Sequence, residues 1–168
     1  DLVPRDDIPD DEDGLFHYVA DLIEQGRHVA SSQANAALTV TYWLIGRAIS
    51  MNMLRQERAD YGKQIVATLS RQLTTRFGRG FELASLRRMV QFAQEFPDYE
   101  IVATVSRQLS WSHLKELLPL TSDEARAFYI EQTTLKRLGV RDLRQAIARK
   151  AWERREISIP GARRDQSR

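Results

Sequence analysis

The residues best suited to chemistry lie on a helix predicted over residues 83–96, directly after a glycine-containing turn. The polar face of this helix carries Ser85, Arg87, Arg88 and Gln91. Arginine, glutamine and serine side chains donate hydrogen bonds to base edges and phosphate oxygens. A helix that presents such side chains after a short turn is typical of a helix-turn-helix DNA reader. The pattern therefore predicts that this face enters the major groove of duplex DNA.

The preceding helix, predicted over residues 62–76, supplies the cations expected to contact phosphates. Its apolar side chains recur at helical spacing and predict a buried stripe of Ile65, Val66, Leu69 and Leu73. Its other side and the turn carry the candidate phosphate contacts, which are Lys63, Arg71, Arg76 and Arg79. Gly78 is expected to end the helix in a left-handed conformation, with Phe81 packing back across the turn.

The charge distribution also indicates a nucleic-acid partner. The net charge is only +2, but residues 47–88 hold nine Lys/Arg against three acids, and residues 136–168 hold eleven against four. Arginine supplies 21 of the 25 cations, and its planar guanidinium suits phosphates and guanine edges. The alternative is that these residues form a mixed, solvated surface with no bound partner.

A search for catalytic motifs finds no active site. The chain has no cysteine, its three histidines are far apart in sequence, and it contains no Glu-x-Lys. The turn Gly78-Arg79-Gly80 lacks the Gly-Lys-Ser/Thr ending of a phosphate-binding loop. We therefore expect no enzyme activity, small-molecule substrate, cofactor or metal in this chain. No run of 18 apolar residues occurs, so no membrane partner is expected, and the absence of cysteine is compatible with a cytoplasmic location.

The elements that position these residues are predicted to form an all-α, multi-helix domain over residues 14–155, with a helix-turn-helix or winged-helix-like unit. Residues 1–13 are acidic and contain two prolines, so they are expected to bury little and to form a flexible leader. Asp13 is the expected N-cap of the first helix. Residues 156–168 are predicted to be a basic tail that leads towards a further domain.

Long helices are predicted across residues 15–54, with a break at Gly26. Small residues at 34, 36 and 37 would let another helix approach closely, while Tyr42, Trp43 and Gly46 are expected to pack in the core. These helices are expected either to pair with a second copy of the chain or to pack inside one bundle. The first case would make the chain a homo-oligomer and an interaction module without direct DNA contact.

The second half of the chain is predicted to be helical apart from residues 98–107, which are compatible with a strand, a wing or a short helix. Ser110 is the expected cap of a helix over residues 111–118. Thr121 and Glu124 match a capping box for a helix over residues 122–138 that buries Leu135 and ends at Gly139. One final basic helix is expected from Val140 to Arg155, with Leu143 and Ile147 facing inward.

Several short strings in this order resemble the N-terminal domain of YhcG-type proteins over about residues 15–152. The strings are Tyr42-Trp43-Leu44-Ile45-Gly46-Arg47, Tyr61-Gly62-Lys63, Phe77-Gly78-Arg79-Gly80-Phe81, Leu86-Arg87-Arg88-Met89, Gln108-Leu109-Ser110-Trp111-Ser112-His113, Arg126-Ala127-Phe128-Tyr129-Ile130 and Val140-Arg141-Asp142-Leu143. The resemblance implies an all-helical, helix-turn-helix-like domain. It also implies that a nuclease domain of the PD-(D/E)xK type follows in full-length relatives, which the missing Glu-x-Lys fits. The resemblance implies no individual DNA contacts, so the candidate residues rest on helix geometry alone.

Overall fold

The computed structural model describes residues 2–29, 33–56 and 59–157, and every regular element in these ranges is helical, which confirms the all-α prediction. The helices are α1 (Glu12–Arg27), α2 (Ala34–Arg55), α3 (Ala59–Phe77), α4 (Leu83–Glu95), α5 (Tyr99–Ser106), α6 (Trp111–Leu117), α7 (Asp123–Lys136), α8 (Val140–Ala148) and α9 (Ala151–Ile157). The chain divides after Trp111 into two compact units.

The segment whose conformation the sequence leaves open is the helix α5. The Asp98 side chain caps it by accepting a 2.9 Å hydrogen bond from the backbone N–H of Glu100. Val102 is buried, and Ser106 donates to the Val102 carbonyl oxygen at 2.6 Å. The cap and the tertiary contacts therefore override the strand preference of its β-branched residues. Within the described ranges no strand occurs that could form a wing.

Helix α2 is the centre of the first unit, and it packs against α1, α4 and α5. Its buried residues lie all around the helix axis, which is typical of a helix enclosed on every side. Trp43 is 2% exposed, and its Nε1 donates a 2.7 Å hydrogen bond to the carbonyl oxygen of Phe96. Tyr42 is half-buried and packs on Trp111, with ring centroids 5.2 Å apart. The predicted packing role of Tyr42 and Trp43 is confirmed.

The predicted division of residues 15–54 into two helices is confirmed, but α1 ends after Arg27 and not at Gly26. α1 continues to Arg27, and Gly26 is buried inside it. A β-carbon at this position would lie 2.3 Å from Oγ1 of Thr41 on α2. The glycine therefore permits a close approach of α1 to α2, and the helix ends only afterwards. Ala30, an apolar residue of the stretch 15–54 that is predicted to be helical, lies outside the described residues.

The acidic N-terminal segment differs from the prediction that it buries little. Ile8 is 3% exposed, and Asn52 of α2 donates hydrogen bonds to the carbonyl oxygens of Pro9 and Asp10 at 3.0 and 3.1 Å. Hydrogen bonds to backbone carbonyls therefore hold the segment to α2. Composition does not reveal such interactions, because it describes only the side chains.

Asp11 caps α1 in place of the predicted Asp13. Its side chain accepts a 2.8 Å hydrogen bond from the backbone N–H of Gly14, and Asp13 lies in the first turn of the helix.

The second unit departs from the predicted helix boundaries in two places. Ser122, not Thr121, caps α7, because its Oγ accepts from the Ala125 N–H at 3.1 Å. At the other end, Arg137 takes a left-handed conformation with φ of 51° and terminates the helix, while Gly139 becomes the N-cap of α8. Residues other than glycine rarely adopt this left-handed conformation, so the sequence pattern predicted that the helix ends at Gly139.

The predicted final helix is two helices. Lys150 adopts φ of 58° between α8 and α9, which interrupts the regular hydrogen bonds of a continuous helix. Leu143 is fully buried as expected and Ile147 is half-buried. Leu135, by contrast, was predicted to be buried and is 70% exposed, because Tyr129 and Thr133 form the inner face of α7.

Candidate nucleic-acid interface

The turn between α3 and α4 depends on two glycines with positive φ. Gly78 has φ of 84° and Gly80 has φ of 106°. The Gly78 N–H donates to the Thr74 carbonyl oxygen at 2.9 Å, which closes the last turn of α3. Residues other than glycine rarely adopt this region, and the predicted role of Gly78 at the helix end is confirmed.

Two aromatic rings and one hydroxyl hold the turn against α3. Phe77 and Phe81 pack with their ring centroids 6.0 Å apart, and Phe81 is 4% exposed. The buried Ser70 of α3 donates a 2.8 Å hydrogen bond to the carbonyl oxygen of Phe81. These interactions connect the turn that precedes α4 to the middle of α3, so the start of α4 is fixed by buried groups.

The inner face of α4 consists of Leu86, Met89 and Phe92, which are all at most 1% exposed. The sequence predicted Leu86 and Met89 but missed Phe92. Four other residues that it placed in the core are only half-buried: Leu83, Val90, Ala93 and Phe96. Phe92 packs edge-on against Phe96, with ring centroids 5.4 Å apart. The inner face packs on α2, which leaves the opposite side of α4 uncovered by that helix.

The outer face of α4 presents two exposed arginines, Arg87 and Arg88. Residues four apart share one side of a helix, so Arg87 and Gln91 project in nearly the same direction. Arg88 lies about 100° further round the helix axis. Gln91 and Ser85 are partly buried. The arginines are therefore the most accessible of the predicted groove-reading residues.

Glu82 places a carboxylate at the beginning of α4. Its two oxygens accept hydrogen bonds from the Gly80 N–H at 3.2 and 3.1 Å, and Ser85 donates to it at 3.4 Å. Hydrogen bonds from its own backbone and from Gly80 lower the pKa of Glu82. An anion therefore occupies the helix end where a phosphate would otherwise bind, and Ser85 is engaged with it.

The candidate phosphate contacts do not form one patch. Lys63, Arg71 and Arg79 are exposed, but Lys63 and Arg76 are separated by about 20 Å along the axis of α3. Arg76 forms an ion pair with Glu24 of α1. Its guanidinium is therefore oriented towards α1 and is partly neutralised before any ligand arrives.

Arg27 is a candidate contact that the sequence did not reveal. Its guanidinium carbon lies 5.0 Å from the centroid of the Phe77 ring, and that of Arg76 lies at the same distance. Cations over an aromatic face are held by the ring quadrupole. No spacing rule connects residues 27 and 77, so only the fold could bring this exposed arginine to the end of α3.

The described parts of the chain contain no cluster of three or more histidine, cysteine, aspartate or glutamate residues that could hold a metal ion. His113 lies against the backbone, where its Nε2 donates to the Leu138 carbonyl oxygen at 2.8 Å. None of the helices in the described ranges is long and apolar enough to cross a membrane.

Comparison with known proteins identifies the class. The family model described as "DUF1016 N-terminal domain" matches residues 18–154, and the chain belongs to this family. It is also similar to the protein named "Putative nuclease YhcG" of Escherichia coli (strain K12), with 30% identity over 176 aligned positions. The alignment covers 87% of this chain and 46% of that protein. No solved structure matches the chain.

These matches confirm the resemblance to YhcG-type proteins. The matched family model is an N-terminal domain, which agrees with the prediction that this chain is not itself an enzyme. The chain spans about half the length of the relative.

Proposed function

We propose that this chain is a duplex-DNA-binding module that positions an attached nuclease domain of a YhcG-type protein. The observation that carries the proposal is the orientation of α4. Its inner face is anchored on α2 by Leu86, Met89 and Phe92, and its outer face presents Arg87 and Arg88 to solvent. A helix whose buried face is anchored in the protein core and whose exposed face carries arginines meets the requirements of a recognition helix.

In the proposed mechanism α4 lies in the major groove. Arg87 and Arg88 contact guanine edges or phosphates, and Gln91 and Ser85 lie beside them on the same helix. Planar guanidinium groups donate two hydrogen bonds at once to the O6 and N7 of guanine. Ser85 reaches DNA only after it leaves Glu82, to which it donates a hydrogen bond.

Phosphate contacts come from α3 and the turn, through Lys63, Arg71, Arg76 and Arg79. Each contact with B-DNA should contribute about −0.9 to the slope of log affinity against log salt. Arg76 would have to exchange its ion pair with Glu24 for a phosphate, which reduces its net contribution. Arg27, stacked on the same phenylalanine, is available to replace it.

The link to a nuclease rests on the printed name of the E. coli relative and on the share of that protein matched by this chain. A DNA-binding domain attached to a nuclease raises the local concentration of its substrate. In this proposal the chain contributes binding and orientation, and the cleavage chemistry belongs to the attached domain.

The alternative function is a protein-interaction module, in which the N-terminal helices pair with a second copy. One observation favours it: Leu54, near the end of α2, is 83% exposed. The rest of α2 is largely covered within its own unit, so the pairing would have to use this end of the helix.

The deciding experiment is a duplex titration of the wild-type chain and the Arg87→Ala/Arg88→Ala variant. A weaker affinity in the variant supports the recognition helix, whereas unchanged affinity rules it out. Light scattering tests the alternative, because a chain that stays monomeric at high concentration would exclude the homodimer.

A further inference from the structure

The second unit contains a cleft that the duplex-binding proposal does not use. It lies between α7 and α8 and has a volume of about 320 Å³. This volume is near the lower end of the range for small-molecule sites, so the cleft is large enough for one nucleotide unit. The side chains relevant to a ligand are Phe128, Gln132, Lys136, Asp142, Gln145 and Arg149.

The residues of this cleft form two rows. On α7, Phe128, Gln132 and Lys136 are spaced four residues apart and therefore follow one side of the helix. On and just after α8, Asp142, Gln145 and Arg149 recur at intervals of three and four. Each row thus ends in a cation, and the row on α7 begins with an aromatic ring.

The polar groups of these rows are free to bind a ligand. Among the described residues, the side chains of Gln132, Lys136, Gln145 and Arg149 have no hydrogen-bond or ion-pair partner. Lys136, Gln145 and Arg149 are exposed, and Gln132 is partly buried. Two unpaired cations and two unpaired amides in one concave site match a ligand that carries both an anion and a polar flat group.

The aromatic ring at the end of the cleft is held in place by its neighbours. Phe128 is half-buried and packs against Trp152, with ring centroids 5.5 Å apart, and the Arg155 guanidinium carbon lies 5.3 Å from its centroid. Trp152 is itself fixed, because its backbone N–H donates to the Tyr129 hydroxyl at 3.1 Å. A fixed, partly exposed ring beside cations is the arrangement that stacks an unpaired base.

We propose that this cleft binds one nucleotide of an unpaired nucleic-acid strand. The base stacks on the ring of Phe128. The side-chain amides of Gln132 and Gln145 and the carboxylate of Asp142 form hydrogen bonds with the edge of the base. Lys136 and Arg149 bind the adjacent phosphates. This site is separate from the outer face of α4 and does not depend on duplex recognition.

The test is a fluorescence-anisotropy titration with a labelled 12-nucleotide oligothymidylate, which forms no duplex. The Lys136→Ala/Arg149→Ala variant should bind at least tenfold more weakly, and its salt slope should fall by about 0.7 for each phosphate that it no longer neutralises. The Lys115→Ala/Arg141→Ala variant removes the same charge outside the cleft and should weaken binding less than threefold. Circular dichroism melting establishes that both variants are folded.

A second pair of variants tests stacking. Phe128→Leu should weaken oligothymidylate binding roughly tenfold, while Phe128→Tyr, which keeps the ring, should bind like the wild type. Equally weakened binding in the two charge variants, or wild-type binding by Phe128→Leu, would overturn the proposal. Thymidine monophosphate that competes as strongly as the oligonucleotide would also overturn it in favour of a free nucleotide.

The outcome can be separated from that of the proposed function. The cleft variant should bind a fully paired duplex like the wild type, and the Arg87→Ala/Arg88→Ala variant should bind oligothymidylate like the wild type. Failure of duplex binding therefore leaves the cleft proposal standing, and failure of oligothymidylate binding leaves the recognition helix standing.

Discussion

Gly46 of α2 lies so close to Met89 of α4 that a β-carbon on residue 46 would fall 1.8 Å from the Met89 carbonyl oxygen. The neighbouring atoms are backbone, so they cannot rotate away as the end of a side chain can. This close approach sets the distance between the central helix and the candidate recognition helix. The position of Arg87 and Arg88 in space is therefore linked to a residue in the core of the first unit.

Gly46→Ala should destabilise the chain by roughly 3 kcal/mol, because the added methyl group forces α2 and α4 apart. Urea unfolding measures the effect. The matched control is Gly62→Ala, whose β-carbon would meet only the flexible end of Met53 at 3.0 Å. The control should change the free energy of unfolding by at most about 1 kcal/mol. The change should be stabilising, because alanine favours the helix more than glycine does. Equal effects of both substitutions would contradict the role of close packing at Gly46.

Glu82→Gln should increase duplex affinity about threefold at low salt, because it removes a carboxylate from the start of the proposed recognition helix. The gain should shrink as salt rises, since exposed charges are screened. Fluorescence anisotropy with a labelled duplex measures it. Glu131→Gln removes an exposed carboxylate in the second unit and serves as the control. A wild-type affinity for Glu82→Gln would mean that α4 does not face the DNA.

Glu82 should also make stability depend on acid. Its pKa is lowered in the folded chain by backbone hydrogen bonds, chiefly its own and that of Gly80. The resulting stabilisation is present above the ordinary value of 4.5 and is lost as pH falls through the lowered folded pKa. Urea midpoints of the wild type and Glu82→Gln should differ at pH 7 and converge once the pH lies below the lowered pKa of Glu82 in the folded chain. A constant difference across this range would exclude the carboxylate as the cause.

Asn52→Ala should release the N-terminal segment from α2. Asn52 is fully buried, and its side-chain amide is the donor for two backbone carbonyls of that segment. Removing a buried donor with two acceptors should cost about 2 kcal/mol and accelerate proteolysis before residue 11. Asn35→Ala, at an exposed position of the same helix, should do neither. Unchanged cleavage in Asn52→Ala would show that other interactions hold the segment.

Helical periodicity was sufficient to predict the all-α fold and most of the core. Ile65, Leu69 and Leu73 on α3 and Leu86 and Met89 on α4 are buried as their spacing indicates. Periodicity failed where the backbone leaves the helical conformation, as at Lys150, whose positive φ divides one predicted helix into two. A left-handed lysine has no sequence signature, so this boundary depends on tertiary packing.

The candidate interface could likewise be predicted from the sequence only in part. Residue type and a glycine turn pointed to α4, and the exposed positions of Arg87 and Arg88 agree with the predicted helix face. Interactions between distant residues could not be predicted, among them the ion pair of Arg76 with Glu24 and the stacking of Arg27 on Phe77. Both arise from the packing of α1 beside α3, which one sequence does not specify.

The most direct test of the central proposal compares duplex binding by the wild type and the Arg87→Ala/Arg88→Ala variant at several salt concentrations. The matched control is Arg141→Ala/Lys115→Ala, which removes two cations from the second unit. We predict an affinity at least tenfold weaker for the α4 variant and a salt slope reduced by about 0.9 for each phosphate that the variant no longer neutralises, with little change in the control. An α4 variant that binds duplex like the wild type, with the same salt slope, would contradict the proposal that α4 reads DNA.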